Sequence, residues 1–441
     1  MSIRYLISCL IISLPLVSYP LLNYRGRAIQ LDWVVVALLS LSFYTHFMMR
    51  TPYITFRERK LVVASMVLFF ALTSSIMTPL STGSASSMEE FLTTWVQYLI
   101  GITLFIMCSS IRVNEKDLRL FLKLYVSVVV IVAVFGIIQF VASSIFDINL
   151  YPHLFSAKYG EIGKTGGYRQ YLGDIRRPVS IFYEPRHFGC FVLTCFFVLY
   201  LSILNKAYII YNSKITKWCC VVILVAIIIS FSMSAYIAFC LTFIPMLYII
   251  GHLKKKYGYI FLLIAGVMCL DIIVYYTTHI SVLGYSWERI HINLNDLKNV
   301  SDFSIHYFGP IRYIRGYYES FLLFKSHPFL GIGLNNTHLY VDPFFARLSP
   351  PPDLLASTGL IGFIAFYFFM FLLWGRILKL KRALDLISKH RFYISIAWMF
   401  VTSAFIKAFF SSNYQYCSSW FWFDLSFAAL IFSNLKATVK T

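Results

Sequence analysis

Uncharged, mainly apolar stretches recur along the entire chain, and they decide what it can become. A helix that crosses a bilayer needs about 20 such residues. Only helices and closed barrels satisfy their own backbone in hydrocarbon. Runs of this kind lie near 3–22, 29–49, 61–79, 92–110, 120–146 and 179–204. The run at 218–250 is too long for one span and is interrupted by Ser232-Met233-Ser234, so it predicts two short helices. Further runs lie near 259–275, 354–374, 392–411 and 419–436. The expectation is an all-α polytopic integral membrane protein, 1–441 forming one membrane domain of about 12 transmembrane helices. The apolar run behind Arg4 lacks a small-x-small cleavage pattern and reads as an uncleaved first helix.

The chain carries 38 Lys and Arg against 19 Asp and Glu, a formal charge of +19. Such an excess suits either nucleic acid or membrane topology. Its placement decides for topology. With both termini cytoplasmic, the inner segments hold 23 of the basic residues and only Glu58, Glu115, Asp117 and Asp385 of the acidic ones. That accounts for the whole excess and obeys the positive-inside rule; Arg25 and Arg27, in the first outer loop, depart from it mildly. Nucleic acid is therefore not a partner, and membrane lipid is. The nine cysteines show no metal-ligand spacing and read as small buried hydrophobes. No metal and no cofactor is expected.

Two outer connections are longer than connectors need to be: 147–178, and 276–353 between spans 9 and 10. Long loops carry function more often than short ones. The first ends in Arg176-Arg177-Pro178-Val179-Ser180-Ile181-Phe182-Tyr183-Glu184-Pro185-Arg186-His187. Charges at the lip of a span are costly unless they meet a cavity or a partner, so this segment reads either as a polar site or as an interfacial cap with snorkelling arginines. Pro185 suits a first helical turn. In the second loop Pro310 starts an expected helix reaching Ser326, with Arg312, Arg315 and Glu319 on one face. Guanidinium forks suit phosphate, and the faces of Tyr313 and Tyr317 suit sugar rings. An ordinary Arg–Glu surface pair is the competing reading. Ser349-Pro350-Pro351-Pro352 is expected to be extended, with Asp353 capping the next span. Inside spans 11 and 12, Lys407 and Asp424 fall at similar depth and are expected to pair.

Three short motifs resemble one family. Ser326-His327-Pro328-Phe329-Leu330-Gly331-Ile332-Gly333 is similar to the "hPllGvG" of the O-antigen polymerase (Wzy) and O-antigen ligase superfamily. Gly359-Leu360-Ile361-Gly362-Phe363 resembles its "GllGf" element, and Arg177 to Pro185 its "RxxGxfxEP" element. The resemblance implies an enzyme of the bacterial inner membrane with its active site facing the periplasm. Such an enzyme transfers a glycan from undecaprenyl diphosphate to an acceptor hydroxyl, without metal. Donor and acceptor are lipid-linked glycans, and a chain-length regulator and a flippase are implied partners.

Two departures from the pattern favour a polymerase over a ligase. The His-Asn pair that ligases carry before the "GllG" glycine is replaced by Leu348-Ser349, and the Ser-Arg between the two short helices by Ser232-Met233. The arginine spacing of some polymerase loops is also absent. A ligase passing the glycan to lipid A-core is the alternative. A flippase or other transporter is the reading from another class, although no second broken helix matches the one at 218–250. For the resemblance's chemistry, Arg177, Arg186, Arg312 and Arg315 are the candidates for diphosphate and glycan, with Arg176, His187, Tyr313, Tyr317 and Arg347 beside them. Glu184 is the first candidate base, unless its arginine neighbours reduce it to an orienting group. His338 is the second.

Overall fold

Helices start where the sequence supplies a cap and stop where it removes a donor. The computed structural model describes residues 3–18, 20–24, 27–49, 51, 54, 56, 58–146, 148, 150, 171–172, 175–182, 185–210, 212–250, 310–341, 350–384, 388–410 and 419–439. The helices among them are α1 (Ile3–Ser13), α2 (Leu31–Met48), α3 (Arg59–Ser74), α4 (Met77–Thr82), α5 (Ala85–Ser110), α6 (Glu115–Ile145) and α7 (Pro185–Leu204). There follow α8 (Ser213–Ile229), α9 (Met233–Ile250), α10 (Pro310–Ser326), α11 (Thr337–Tyr340), α12 (Pro350–Leu384), α13 (Ser388–Phe410) and α14 (Ser419–Val439). Ser84, Asn114 and Asn212 each accept a first-turn backbone N–H, at 3.3, 2.7 and 2.9 Å, and so open α5, α6 and α8.

Seven of the helices are long and apolar enough to cross a membrane, and shorter apolar helices accompany them. The chain is a mostly helical, multi-pass membrane protein. Its interior is a continuous apolar core that includes Phe105, Phe197, Phe369, Trp398 and Trp422. Its outside is also apolar: Leu41, Val63, Phe70, Ile131, Ile364 and Phe368 are exposed. A surface of that kind is stable against lipid chains rather than water. The described cysteines are free, and Cys108, Cys190, Cys195 and Cys220 are buried.

Three expectations need correction. The run at 3–22 is not one helix. It ends as α at Ser13, continues as a 3₁₀ turn over Leu14–Ser18, and enters a hairpin in which Pro20–Tyr24 (β1) pairs with Arg27–Gln30 (β2). Pro15 supplies no N–H to continue the α ladder. The prolines at 350–352 are not extended: they form the first turn of α12, where orphan amides make proline cheap. Asp353 therefore lies inside the first turn rather than at the position before it. The expected span at 259–275 lies outside the described residues.

Segments assigned to the same face by charge also meet in space. Arg4 pairs with Asp117 at 3.1 Å and Arg376 with Glu58 at 3.1 Å. Arg119 donates to the Tyr208 carbonyl at 3.1 Å, and Asn434 holds Val113 N and Ile111 O at 3.0 and 3.2 Å. At the other end of α5, Ser87 and Glu90, with Thr78 of the neighbouring α4, meet the chain at 331–338.

Candidate functional site

The long helix α12 is broken at Gly359, whose φ of 61° and ψ of −167° are not helical. A break deep in a membrane protein must find partners for the backbone groups it frees. The segment 327–333 supplies them. Ile332 N and Gly333 N donate to Ala356 O and Ser357 O at 3.0 and 2.9 Å. Leu360 N and Ile361 N donate in turn to Pro328 O and Phe329 O at 2.8 and 3.3 Å. Two of the sequence motifs are thus one backbone-locked unit. Gly331 and Gly333 also have positive φ, 69° and 98°, which glycine alone adopts without strain.

This unit presents the next residues to α4 and α5. Thr78 Oγ1 donates to Gly331 O at 2.6 Å. Asn336 is fully buried and donates to Ser87 Oγ at 2.7 Å and Ile332 O at 3.1 Å. Thr337 Oγ1 donates to Asp353 Oδ1 at 2.5 Å. Asn335, left-handed at φ 62°, donates from its amide to Glu90 Oε2 at 2.8 Å. His338 follows on α11. Its Nδ1 faces the Asn335 carbonyl at 2.9 Å and its Nε2 lies 3.9 Å from Glu90 Oε1.

A second polar group surrounds the start of α7. Gln139 of α6 accepts the backbone N–H of Val179 and of Ser180, both at 2.9 Å, and Ser180 Oγ donates to Val132 O at 2.8 Å. Arg177 reaches across to the Phe231 carbonyl at 3.2 Å, at the break between α8 and α9. Pro185 opens α7 as its sequence position predicts, and His187 is buried beside it. A Cβ on Gly189 would lie 2.7 Å from Ala235 and 2.8 Å from Ser230, so α7 rests directly on that break. The break falls at Ser230–Ser232, two residues before the sequence places it, with Phe231 left-handed at φ 46°.

No protein-family model matches the chain, and no curated protein matches it. The residues therefore carry the functional reading alone.

The expected site residues distribute as follows. His338 stands in the first group; Arg177, Arg186 and His187 stand in the second. Pro310 does open a helix that ends at Ser326, and Tyr317 is exposed on it. Arg312, Tyr313 and Arg315 occupy its first turns, and with Arg176 their side chains fall outside those described. Glu184 and Arg347 lie outside the described residues. Glu90 and Gln139 were missed by the sequence reading. Glu90 had a usable signal, a carboxylate at the lip of the span near 92, which is the same signal that drew attention to Arg186. Gln139 is a lone amide in an apolar run and gives no such sign.

Proposed function

We propose that this chain is a membrane glycosyltransferase of the bacterial inner membrane. It polymerises undecaprenyl-diphosphate-linked repeat units into O-antigen or a related surface polysaccharide on the periplasmic face. The observation that carries the reading is the joining of 327–333 to the Gly359 break. Two motifs that resemble the superfamily, separate in sequence, build one backbone-locked unit that leads into His338. A protein that only needed spans would have no use for a helix broken and re-bonded in this way, at glycines that tolerate no side chain.

The chemistry needs few groups. Diphosphate is a good leaving group, so catalysis reduces to holding its charge and orienting the acceptor hydroxyl. Arg177, Arg186, Arg312 and Arg315 are proposed for the charge, and His338 for the hydroxyl proton. Net charge does not do this work: the 276–353 loop balances six Lys and Arg against six Asp and Glu. Binding of an anion outside must come from individual arginines held in place.

Deleting the gene and running the lipopolysaccharide on a gel tests the proposal. A polymerase deletion leaves core bearing a single repeat. Bare core with polymer still on its lipid carrier identifies a ligase instead, and an unchanged ladder refutes the proposal.

A further inference from the structure

Two charged clusters in this protein have opposite characters. Lys407 and Asp424 pair at 2.6 Å with side chains only 1% and 5% exposed, and Thr194, itself bonded to Ser403, bonds to both. Buried from substrate in this way, the pair reads as structural. His338 and Glu90 stand further apart, at 3.9 Å, and keep 22% and 33% of their side chains open. They are positioned by hydrogen bonds yet remain approachable.

The holding is done by Asn335. Its carbonyl oxygen faces His338 Nδ1, and its side-chain amide donates to Glu90 Oε2. One left-handed residue thus fixes both the imidazole and the carboxylate, and strained non-glycine backbone of this kind concentrates at functional sites. The residues that follow it are pinned by Ser87 and Asp353, so α11 has little freedom to move His338. Because the carbonyl can only accept, Nδ1 must carry the hydrogen. Nε2 of the neutral ring then holds the lone pair, on the side facing Glu90.

We infer that Glu90 and Asn335 are positioning residues for His338 as the base that activates the acceptor hydroxyl. The inference rests on the proposed glycosyl transfer. In that step the acceptor oxygen forms a bond to the anomeric carbon. The bond from that carbon to the diphosphate oxygen breaks, and its electron pair leaves with the lipid diphosphate. The hydroxyl proton passes to His338 Nε2. The resulting imidazolium is held between the Asn335 carbonyl and the Glu90 carboxylate, and it loses the proton once the product departs. The Asn335 carbonyl orients the ring through Nδ1, and Glu90, facing Nε2, acts by stabilising the positive charge the ring acquires when it takes the proton.

The test uses the purified full-length protein and lipid-linked repeat units extracted from the deletion strain. His338→Ala lowers kcat on the order of 10²- to 10⁴-fold, the usual contribution of a positioned base. Glu90→Gln still accepts from Asn335 but carries no charge, and it lowers kcat at least about tenfold with KM little changed. Glu90→Asp recovers part of that loss. The double variant Glu90→Gln with His338→Ala is no slower than His338→Ala alone, because both act through one ring. Wild-type kcat in Glu90→Gln, or a double variant slower by the product of the two single effects, overturns the inference. If the wild-type protein itself joins no repeats, the proposed function fails instead, and the two failures are told apart by that control.

Discussion

A Cβ on Gly331 would stand 2.5 Å from the backbone nitrogen of Gly359, and one on Gly359 would stand 2.6 Å from the nitrogen of Leu330. The two glycines are the contact point between the loop that follows α10 and the break in α12. Both have positive φ, so neither position tolerates a side chain on grounds of space or of backbone conformation.

Gly331→Ala and Gly359→Ala are each expected to abolish or sharply reduce folded protein. Left-handed backbone costs a non-glycine residue about 1–2 kcal/mol, and forcing atoms into packed backbone adds about 1–3 kcal/mol. Gly375→Ala is the control. It lies within α12 with nothing within 4 Å of its Cβ, and it is expected to be neutral or stabilising by up to about 1 kcal/mol. Monodisperse yield and melting temperature in detergent measure the difference. Equal behaviour of the three variants would remove the basis for the docked unit.

Lys407 and Asp424 are expected to fail singly and survive together. Removing one partner of a buried pair costs about 3–5 kcal/mol because the other charge is stranded. Lys407→Ala should therefore lose more folded yield than the exchange Lys407→Asp with Asp424→Lys. Equal losses would mean that the pairing itself contributes nothing.

Gln139→Leu is expected to destabilise the start of α7. It leaves the buried amides of Val179 and Ser180 without their acceptor, at about 1–3 kcal/mol for each such group. Gln139→Glu keeps an acceptor oxygen in place and should retain more folded protein than Gln139→Leu. Thermal unfolding of the two variants, side by side, gives the answer.

Arg312→Ala and Arg315→Ala are expected to shorten or deplete the polysaccharide ladder without loss of protein in the membrane. Each removes a bidentate donor suited to phosphate, and each lies in the first turns of α10. Unchanged chain length and unchanged yield in both variants would exclude them from the diphosphate site.

The apolar runs announced the helices because hydrocarbon permits few other ways to satisfy a backbone. Pro185 and Pro310 marked helix starts correctly for the same kind of reason: a proline costs nothing where the amide is already an orphan. That rule also extends to Pro350–Pro352, where composition alone suggested an extended segment and the helix instead begins. The pairing of Lys407 with Asp424 was legible too, since an unpaired charge in a membrane has so few alternatives.

By itself the sequence determined the membrane class, the placement of charge, most of the helices and the residue types at the helix ends. These are local properties, set by hydrophobicity, proline and the cost of burying a charge. Only the tertiary structure decided that 327–333 repairs the break at Gly359, that Gln139 anchors Val179 and Ser180, and that Glu90 stands beside His338. Each of those is a contact between separate segments of the chain. Periodicity and propensity report on a residue's own neighbours, whereas a hydrogen bond across the bundle depends on how the helices pack, and no single segment carries that information.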